Sequence, residues 1–160
     1  MGAHRAAPES AYNAGIGLLA RRAHTRAELK RKLGRRGYDP GELEDALRRL
    51  VQAGYLDDLA FAESHVRRRS ALRGPLALAA ELAARGVDRR LSDSALQGFD
   101  RTAQVAAATR LAARMVGHKR LAGYQELLGS VGAKLMRRGF PEGVAREACQ
   151  AVWTGTGGAS

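Results

Sequence analysis

Two adjacent carboxylates, Asp57 and Asp58, are the side chains of this sequence that most suggest a catalytic or metal-binding site. A pair of carboxylates can act in general acid–base catalysis or hold a divalent cation. Adjacent side chains at a helix start point in different directions, however, and no histidine or third acid is spaced to complete a site. Acidic residues at a helix N-terminus interact favourably with the helix dipole, by roughly 0.3–1 kcal/mol each. We therefore interpret the pair as the start of a helix.

The other residues of catalytic or metal-binding type are isolated from one another. The four histidines occur singly, without the spacing of a zinc site. Gly15-Ile16-Gly17 lacks the strand and the third glycine of a dinucleotide-binding loop, and no Walker motif or serine nucleophile motif is present. Cys149 shares an apolar helix face with Ala145 and Val152, which predicts a packed thiol. We expect no enzyme activity, no cofactor and no metal.

The composition indicates an all-α protein. Among 160 residues there are 31 alanines and 20 leucines, whereas isoleucine, valine and threonine together number 14. Alanine and leucine favour helices, and the β-branched residues that favour strands are scarce. With three Phe, four Tyr and one Trp, large side chains are few, so we expect helices that pack closely through alanine.

The charge indicates the kind of partner. The formal net charge is +11, which favours a nucleic acid or an acidic protein surface. Residues 1–56 carry 11 basic against 6 acidic side chains, residues 57–99 carry 7 against 6, and residues 100–160 carry 9 against 4. Both ends are therefore basic and the middle is nearly balanced.

The location is predicted from what the sequence lacks. A single cysteine forms no intramolecular disulfide and fits a reducing compartment. No apolar run approaches the ~20 residues that cross a bilayer, and no secretory signal begins the chain. We expect a cytoplasmic protein without membrane contact.

Start and stop signals divide the chain into nine helical segments. The clearest starts are Ser10, the Thr25-x-x-Glu28 capping box, Asp39-Pro40 and Asp57-Asp58. We expect one helix over residues 121–138, interrupted by Gly129 and Gly132, and a last helix over residues 141–153. The buried stripe of the third segment is predicted to be Leu43, Leu47, Leu50 and Val51.

An internal repeat organises these segments. A pattern of two apolar residues four apart, then an arginine and a glycine, recurs three times, with glycines 49 and 53 residues apart. Its members are Leu29-Leu33-Gly37, Leu78-Leu82-Gly86 and Val131-Leu135-Gly139. A period near 50 residues with three helices predicts a tandem array of three-helix units. We expect repeats at residues 10–54, 55–99 and 100–153, with a disordered lead at 1–9 and a disordered tail at 154–160.

The stretch from Gly54 to Phe61 is predicted to join the first two repeats. Gly54 ends one helix, Asp57 and Asp58 begin the next, and Phe61 faces inward. Between them, Tyr55 and Leu56 are expected to be apolar anchors that set the angle between the units.

The basic residues fall into two groups. Glu28 with Lys32, Glu44 with Arg48, Asp45 with Arg49 and Glu63 with Arg67 have the i, i+4 spacing of helix-supporting ion pairs. Other cations lack an acid four residues before them, and capping of helix C-termini accounts for only part of their excess. The predicted contact residues for an anionic partner are Arg31, Arg35, Arg36, Arg68, Arg69, Arg73, Lys134, Arg137 and Arg138.

The repeats and the junction stretch resemble the RecX family of recombination regulators. The residues that carry the resemblance are Thr25-Arg26-Ala27-Glu28-Leu29-x3-Leu33-x3-Gly37, Gly54-Tyr55-Leu56-Asp57-Asp58-x2-Phe61-Ala62, Gly74, Leu82-x2-Arg85-Gly86 and Lys134-Leu135-x-Arg137-Arg138-Gly139-Phe140. The resemblance covers about residues 11–153. The alanine-rich segment 100–117, the short sixth helix and the glycine-interrupted helix near residues 129–132 depart from the family pattern.

The resemblance implies an elongated tandem array of three three-helix repeats that binds RecA and the RecA–ssDNA filament. It implies inhibition of the ATPase, strand-exchange and co-protease activities of RecA, and hence regulation of homologous recombination, DNA repair and the SOS response. Some members of the family also bind DNA, and the family has no cofactor or catalytic residue. We expect a monomer.

A second hypothesis is a direct DNA-binding protein built from helix-turn-helix-like three-helix units. The absence of base-reading motifs and stacking aromatics argues against sequence-specific recognition of DNA.

Overall fold

The computed structural model describes residues 9–156, and every regular element among them is helical. In chain order the helices are α1 (Ala11–Arg21), α2 (Arg26–Gly34), α3 (Pro40–Gln52), α4 (Asp58–Arg69), α5 (Pro75–Ala84), α6 (Arg89–Leu96), α7 (Arg101–Val116), α8 (Tyr124–Leu127), a π-helical segment (Leu128–Gly132), α9 (Ala133–Arg137) and α10 (Glu142–Gly155). The prediction of an all-α class is confirmed.

Side chains cap the helices where the sequence predicts starts. Thr25 Oγ1 accepts a hydrogen bond from Glu28 N at 3.1 Å, and the Glu28 carboxylate accepts one from Thr25 N at 3.4 Å. Asp39 caps α3 ahead of Pro40. Asp57 accepts a hydrogen bond from Ala60 N at 2.9 Å and so caps α4. These contacts satisfy backbone donors that a helix leaves free in its first turn.

The contacts between residues divide the chain into two compact units. The first unit runs to Phe61 and includes Arg85–Val87. In it α3 packs against α1 and α2. Its core includes a cluster of buried side chains formed by Ala14, Leu29, Leu33, Leu43, Leu47, Leu50 and Leu56.

The second unit consists of Ala62–Ala84 and the residues from Asp88 onward. In it α5 packs against α6, and α10 packs along α7 and against the π-helical segment. Alanine dominates the buried face of α7, where Ala107, Ala108 and Ala112 lie. A small side chain there allows close helix approach, as the composition predicts.

The three copies of the internal repeat share the burial of their apolar members and the backbone conformation of their glycines. Each of the six apolar members is buried, and the three glycines have positive φ angles of 85°, 77° and 90°. A left-handed residue that ends a helix is a role for which glycine is suited. The prediction of tandem three-helix organisation is confirmed, while the repeat boundaries stay a prediction.

Two of the three repeat turns pack tightly against the start of another helix. Within the first unit, Thr25 Oγ1 donates to the Arg85 carbonyl at 2.6 Å, and a Cβ placed on Gly86 would lie 2.4 Å from Ala27 Cβ. Within the second unit, Gly74 N donates to the Arg138 carbonyl at 2.8 Å. A Cβ placed on Gly139 would lie 2.3 Å from Ala77 N.

The third turn of this kind, at Gly37, has an open environment in the described part of the chain. A Cβ placed on Gly37 would meet no atom within 4 Å. The three turns therefore share a backbone conformation but not a packing role.

The structure corrects the prediction in several places. Val51 is 48% exposed and does not belong to the buried stripe of α3. The predicted helix over residues 121–138 begins at Tyr124 and is π-helical over Leu128–Gly132. The last helix continues to Gly155, so the start of the predicted disordered tail is helical. Residues 157–160 and 1–8 lie outside the described residues.

Candidate functional site

The nine predicted contact residues lie at the ends of three helices. Arg31, Arg35 and Arg36 belong to the end of α2 and the turn that follows it, in the first unit. Arg68 and Arg69 end α4 and Arg73 follows it, whereas Lys134, Arg137 and Arg138 belong to α9 and its C-terminal turn, all six in the second unit. Cations at these positions face the negative end of each helix dipole.

The α2 group is free for a partner in the described part of the chain. Arg31, Arg35 and Arg36 are exposed, and none forms an ion pair with a described carboxylate. Three positive charges within six residues thus face solvent together. Such a cluster can contact phosphates or the carboxylates of a protein.

The α4 group, which consists of Arg68, Arg69 and Arg73, is partly neutralised by an acid on α5. Glu81 forms ion pairs with Arg69 at 3.2 Å and with Arg73 at 3.4 Å. His65 Nε2 donates a hydrogen bond to the same carboxylate at 2.7 Å, since an ionised carboxylate only accepts. Partial burial would raise the pKa of Glu81, but hydrogen bonds from His65 and Arg69 hold that pKa below its usual value.

Arg68 differs from its neighbours in the α4 group. It donates from Nη1 to Ser64 Oγ at 2.9 Å and is exposed. Of the three cations in this group, Arg68 therefore retains the most freedom to contact a partner.

The α9 group contains two free cations and one that holds the fold. Lys134 and Arg137 are exposed and form no ion pair with a described carboxylate. Arg138 is half-buried, and its Nη1 donates to the Leu72 carbonyl at 3.4 Å. Its own carbonyl accepts from Gly74 N, the residue that follows Arg73. The structure thereby brings the α4 and α9 groups together.

Three of the four ion pairs predicted from i, i+4 spacing are absent, and two of their acids pair with other residues instead. Asp45 with Arg49 is present at 4.0 Å. Glu44 instead pairs with Arg26 at 2.7 Å and with Lys30, and Glu28 pairs with Arg85 at 3.2 Å. The predicted pairs of Glu28, Glu44 and Glu63 are therefore wrong. Arg67, which the spacing assigned to Glu63, forms no ion pair with a described residue and was missed as a candidate contact.

The junction residues have structural roles. Asp57 caps α4, and Asp58 Oδ1 accepts from Arg26 N at 2.8 Å, which ties the start of α4 to the start of α2. Burial raises the pKa of the Asp58 carboxyl, against the effect of that hydrogen bond. These contacts confirm that the two aspartates serve helix starts.

The other junction residues are divided between core and surface. Gly54 ends α3 with a φ of 78°, Leu56 is buried, and the Arg85 guanidinium lies 5.5 Å from the centre of the buried Phe61 ring. Tyr55 is 57% exposed, so of the two expected anchors Leu56 alone is buried. The role of Tyr55 and Leu56 in setting the angle between the repeats stays a prediction.

Within residues 9–156, no three side chains of histidine, cysteine or acidic type are grouped to hold a metal ion. The Cys149 thiol is fully buried, and burial raises its pKa above the usual range, as expected of a packed thiol. No helix in this part of the chain is long and apolar enough to cross a membrane.

The fold defines an all-helical protein of tandem three-helix domains with exposed cations at several helix ends. The first three-helix domain of RecX matches residues 11–50 of the chain, and the second three-helix domain of RecX matches residues 57–96. A Regulatory protein RecX from Halorhodospira halophila is 40% identical over 148 residues, which cover 92% of this chain and 91% of the relative. The chain therefore belongs to the RecX family.

Another RecX sequence and two RecX crystal structures are also similar to this chain. A Regulatory protein RecX from Mycolicibacterium smegmatis is 38% identical over 147 residues, covering 88% of this chain and 78% of the relative. The crystal structure of RecX from Lactobacillus salivarius superposes with a TM-score of 0.80 at 23% identity, covering 89% of this chain and 94% of that chain, and shows the shared fold. A second crystal structure, of a regulatory protein RecX, has a TM-score of 0.75 at 26% identity, with 84% and 68% covered.

Proposed function

We propose that this protein regulates homologous recombination by binding RecA and the RecA–ssDNA filament. In this proposal it inhibits the ATPase, strand-exchange and co-protease activities of RecA and acts as a cytoplasmic monomer without a cofactor. Membership of the RecX family supports the choice of RecA as partner.

The observation that carries the proposal is the set of exposed cations without an ion-pair partner. Arg31, Arg35 and Arg36 present positive charge in the first unit, and Lys134 and Arg137 do so in the second. A filament of protein and nucleic acid is a polyanion, so each neutralised phosphate adds a salt-dependent increment to binding. Separated contacts on one chain also strengthen each other through effective concentration.

The experiment measures the DNA-dependent ATPase and strand exchange of the cognate RecA with this protein added. We expect inhibition that saturates near or below one protein per RecA. Activity that is unchanged at stoichiometric or excess protein would refute the proposal.

A variant tests the α9 surface. Lys134→Glu combined with Arg137→Glu should weaken filament binding and inhibition while the helical circular dichroism is retained. Arg138 is left intact, because its side chain bonds to the Leu72 carbonyl. The matched control is Arg89→Glu with Arg90→Glu, two exposed cations of α6 whose reversal changes the net charge equally.

Direct DNA binding is the second candidate function, and the same exposed cations favour it. It predicts tight, sequence-dependent binding to naked duplex in the absence of RecA. A gel-shift comparison of bare DNA with RecA-coated DNA separates the two functions. Preference for bare duplex would favour the second.

A further inference from the structure

A groove in the second unit lies between α4, α6 and α7 and belongs to none of the predicted contact surfaces. It encloses about 530 Å³. Volumes of roughly 300–1,000 Å³ are usual for pockets that hold a small-molecule ligand. The groove therefore has the capacity for one or two large side chains of a partner.

The floor of the groove is apolar, and most of the side chains that line the groove are small. The buried floor is made of Val66, Ala95, Phe99 and Ala107. Small residues such as Ala103, Ala106 and Gly98 form much of the rest. Because small side chains leave space beside Phe99 and Val66, the groove presents apolar surface that an inserted aromatic or aliphatic side chain can cover.

The rim carries a positive charge that the chain does not balance. Arg67 on α4 and Arg110 on α7 line the groove, and neither forms an ion pair with a described carboxylate. Glu63 is the one acid among the lining residues, and the ion pair that its spacing to Arg67 predicts is not formed. One arginine is therefore in excess of the acid, and both guanidinium groups are available.

We propose that this groove is a docking site for a segment of a protein partner in which a large apolar side chain lies next to carboxylates. The apolar side chain enters the space above Phe99, and the carboxylates pair with Arg67 and Arg110. An apolar anchor in a pocket with charged pairs at the rim is the usual arrangement of a protein interface.

Neither terminal segment of this chain has the chemistry of that occupant. Residues 1–8 contain no acid and carry Arg5, and residues 157–160 are glycine, alanine and serine. Ser70, Ser94 and the two rim arginines could donate to an anion, but only an apolar side chain would also cover the floor at Val66 and Phe99.

The test uses two groove variants, each with a control on the same helix. Ala106→Trp fills the groove from an exposed position, and Arg110→Glu reverses one rim charge. Ala113→Trp and Arg114→Glu make the same changes at exposed positions of α7 that do not line the groove. Circular dichroism and thermal unfolding establish that all four variants are folded.

The first probe is a short fluorescent peptide with one phenylalanine flanked by glutamates, measured by anisotropy. The second probe is DNA-free RecA, and only this choice of partner rests on the proposed function. We expect each groove variant to lose at least about tenfold in affinity for both probes, and each control to stay within about twofold of the wild type. Peptides with alanine for phenylalanine, or glutamine for glutamate, should bind more weakly.

Several outcomes would overturn the docking proposal. Wild-type affinity in both groove variants, or no binding of the peptide to the wild type, contradicts it. If the groove variants lose affinity for a single-stranded oligonucleotide but keep wild-type affinity for the peptide and for RecA, the groove is a nucleic-acid site. A wild-type dimer that Ala106→Trp converts to a monomer would assign it to a second copy. If the peptide binds through the groove but RecA does not bind, the docking site stands and the proposed partner is wrong.

Discussion

His24 is buried just before α2, where its Nδ1 lies 3.4 Å from Glu28 Oε2. Burial lowers the pKa of the imidazole, and the charges of Arg22 and Lys32 lower it further, while Glu28 opposes them. The folded chain thus favours neutral His24. An exposed histidine in an unfolded chain has a pKa of about 6.5 and takes up a proton there more readily.

The first prediction concerns the pH dependence of stability. Because the pKa of His24 is lower in the folded state, the stabilising contribution of this residue is complete above about pH 6.5 and is lost as the pH falls towards the folded value. His24→Asn should therefore reduce the fall in unfolding free energy between neutral and mildly acidic pH. Denaturant unfolding at several pH values measures the unfolding free energy of the wild type and the variant.

His118→Asn is the control, since this histidine is exposed. It should leave the pH profile of the wild type unchanged. An identical profile for wild type and His24→Asn would show that other groups control acid sensitivity.

The ion-pair partners of single arginines could not be predicted from spacing along one helix. Arg69 and Arg73 look free in the sequence because no acid stands four residues before them. Their partner Glu81 lies on α5, 12 and 8 residues further along the chain. Arg67 shows the reverse, since its predicted partner is near in sequence and unused. Spacing on one helix cannot reveal partners on another.

The three repeat turns, which share one sequence pattern, differ in whether they pack against another helix. Gly37, Gly86 and Gly139 all have positive φ, but only Gly86 and Gly139 lie against another helix start. Placing alanine in this conformation costs about 1–2 kcal/mol. A Cβ within 2.4 Å of another atom adds a steric clash at two of the three turns.

The second prediction compares alanine at these turns. Gly86→Ala and Gly139→Ala should each lower the unfolding free energy by at least about 1–3 kcal/mol more than Gly37→Ala does. Gly37→Ala is the matched control, because it has the same backbone strain without the clash. Urea unfolding of the three variants measures the difference, and equal losses would contradict a packing role for the turns.

The third prediction concerns the π-helical segment. A Cβ on Gly129 would meet no atom within 4 Å, whereas a Cβ on Gly132 would lie 3.0 Å from Leu128 Cδ1. Gly129→Ala should raise the unfolding free energy by about 0.5–1 kcal/mol, because alanine loses less backbone entropy in a helix. Gly132→Ala should gain less or be destabilising, since Leu128 must move. A larger gain at Gly132 would show that the neighbouring side chains adapt freely.

Over the whole molecule, exposed cations without ion-pair partners occur in both compact units. If both sets contact one filament, their contributions combine through effective concentration. Each phosphate contact also adds a counterion-release term, so salt titration counts contacts independently of affinity.

The fourth prediction uses this property. Arg31→Gln with Arg35→Gln, and Lys134→Gln with Arg137→Gln, should each weaken filament binding and reduce the slope of log K against log salt by about one unit per lost phosphate contact. The quadruple variant should lose more than either pair. Arg89→Gln with Arg90→Gln controls for net charge. A slope unchanged in the quadruple variant would exclude these residues from phosphate contact.

The helical class, the helix starts and the repeat could be predicted from the order of residues along the chain. Alanine and leucine content, the capping box at Thr25 and the aspartate at Asp57 act within a turn or two of helix, so their effect is readable from neighbours in the chain. The family resemblance rests on the same local motifs.

The packing of distant helices, by contrast, sets which cations lack an ion-pair partner and where a partner side chain can enter the groove. Glu28 pairs with Arg85, 57 residues away, and the groove over Phe99 exists because α4, α6 and α7 meet there. Tyr55 lies outside although its sequence pattern predicts an anchor. Such outcomes depend on how separate helices pack, because long-range burial and ion pairing outweigh the weak preferences, about 0.2–0.5 kcal/mol, of neighbouring residues on one helix.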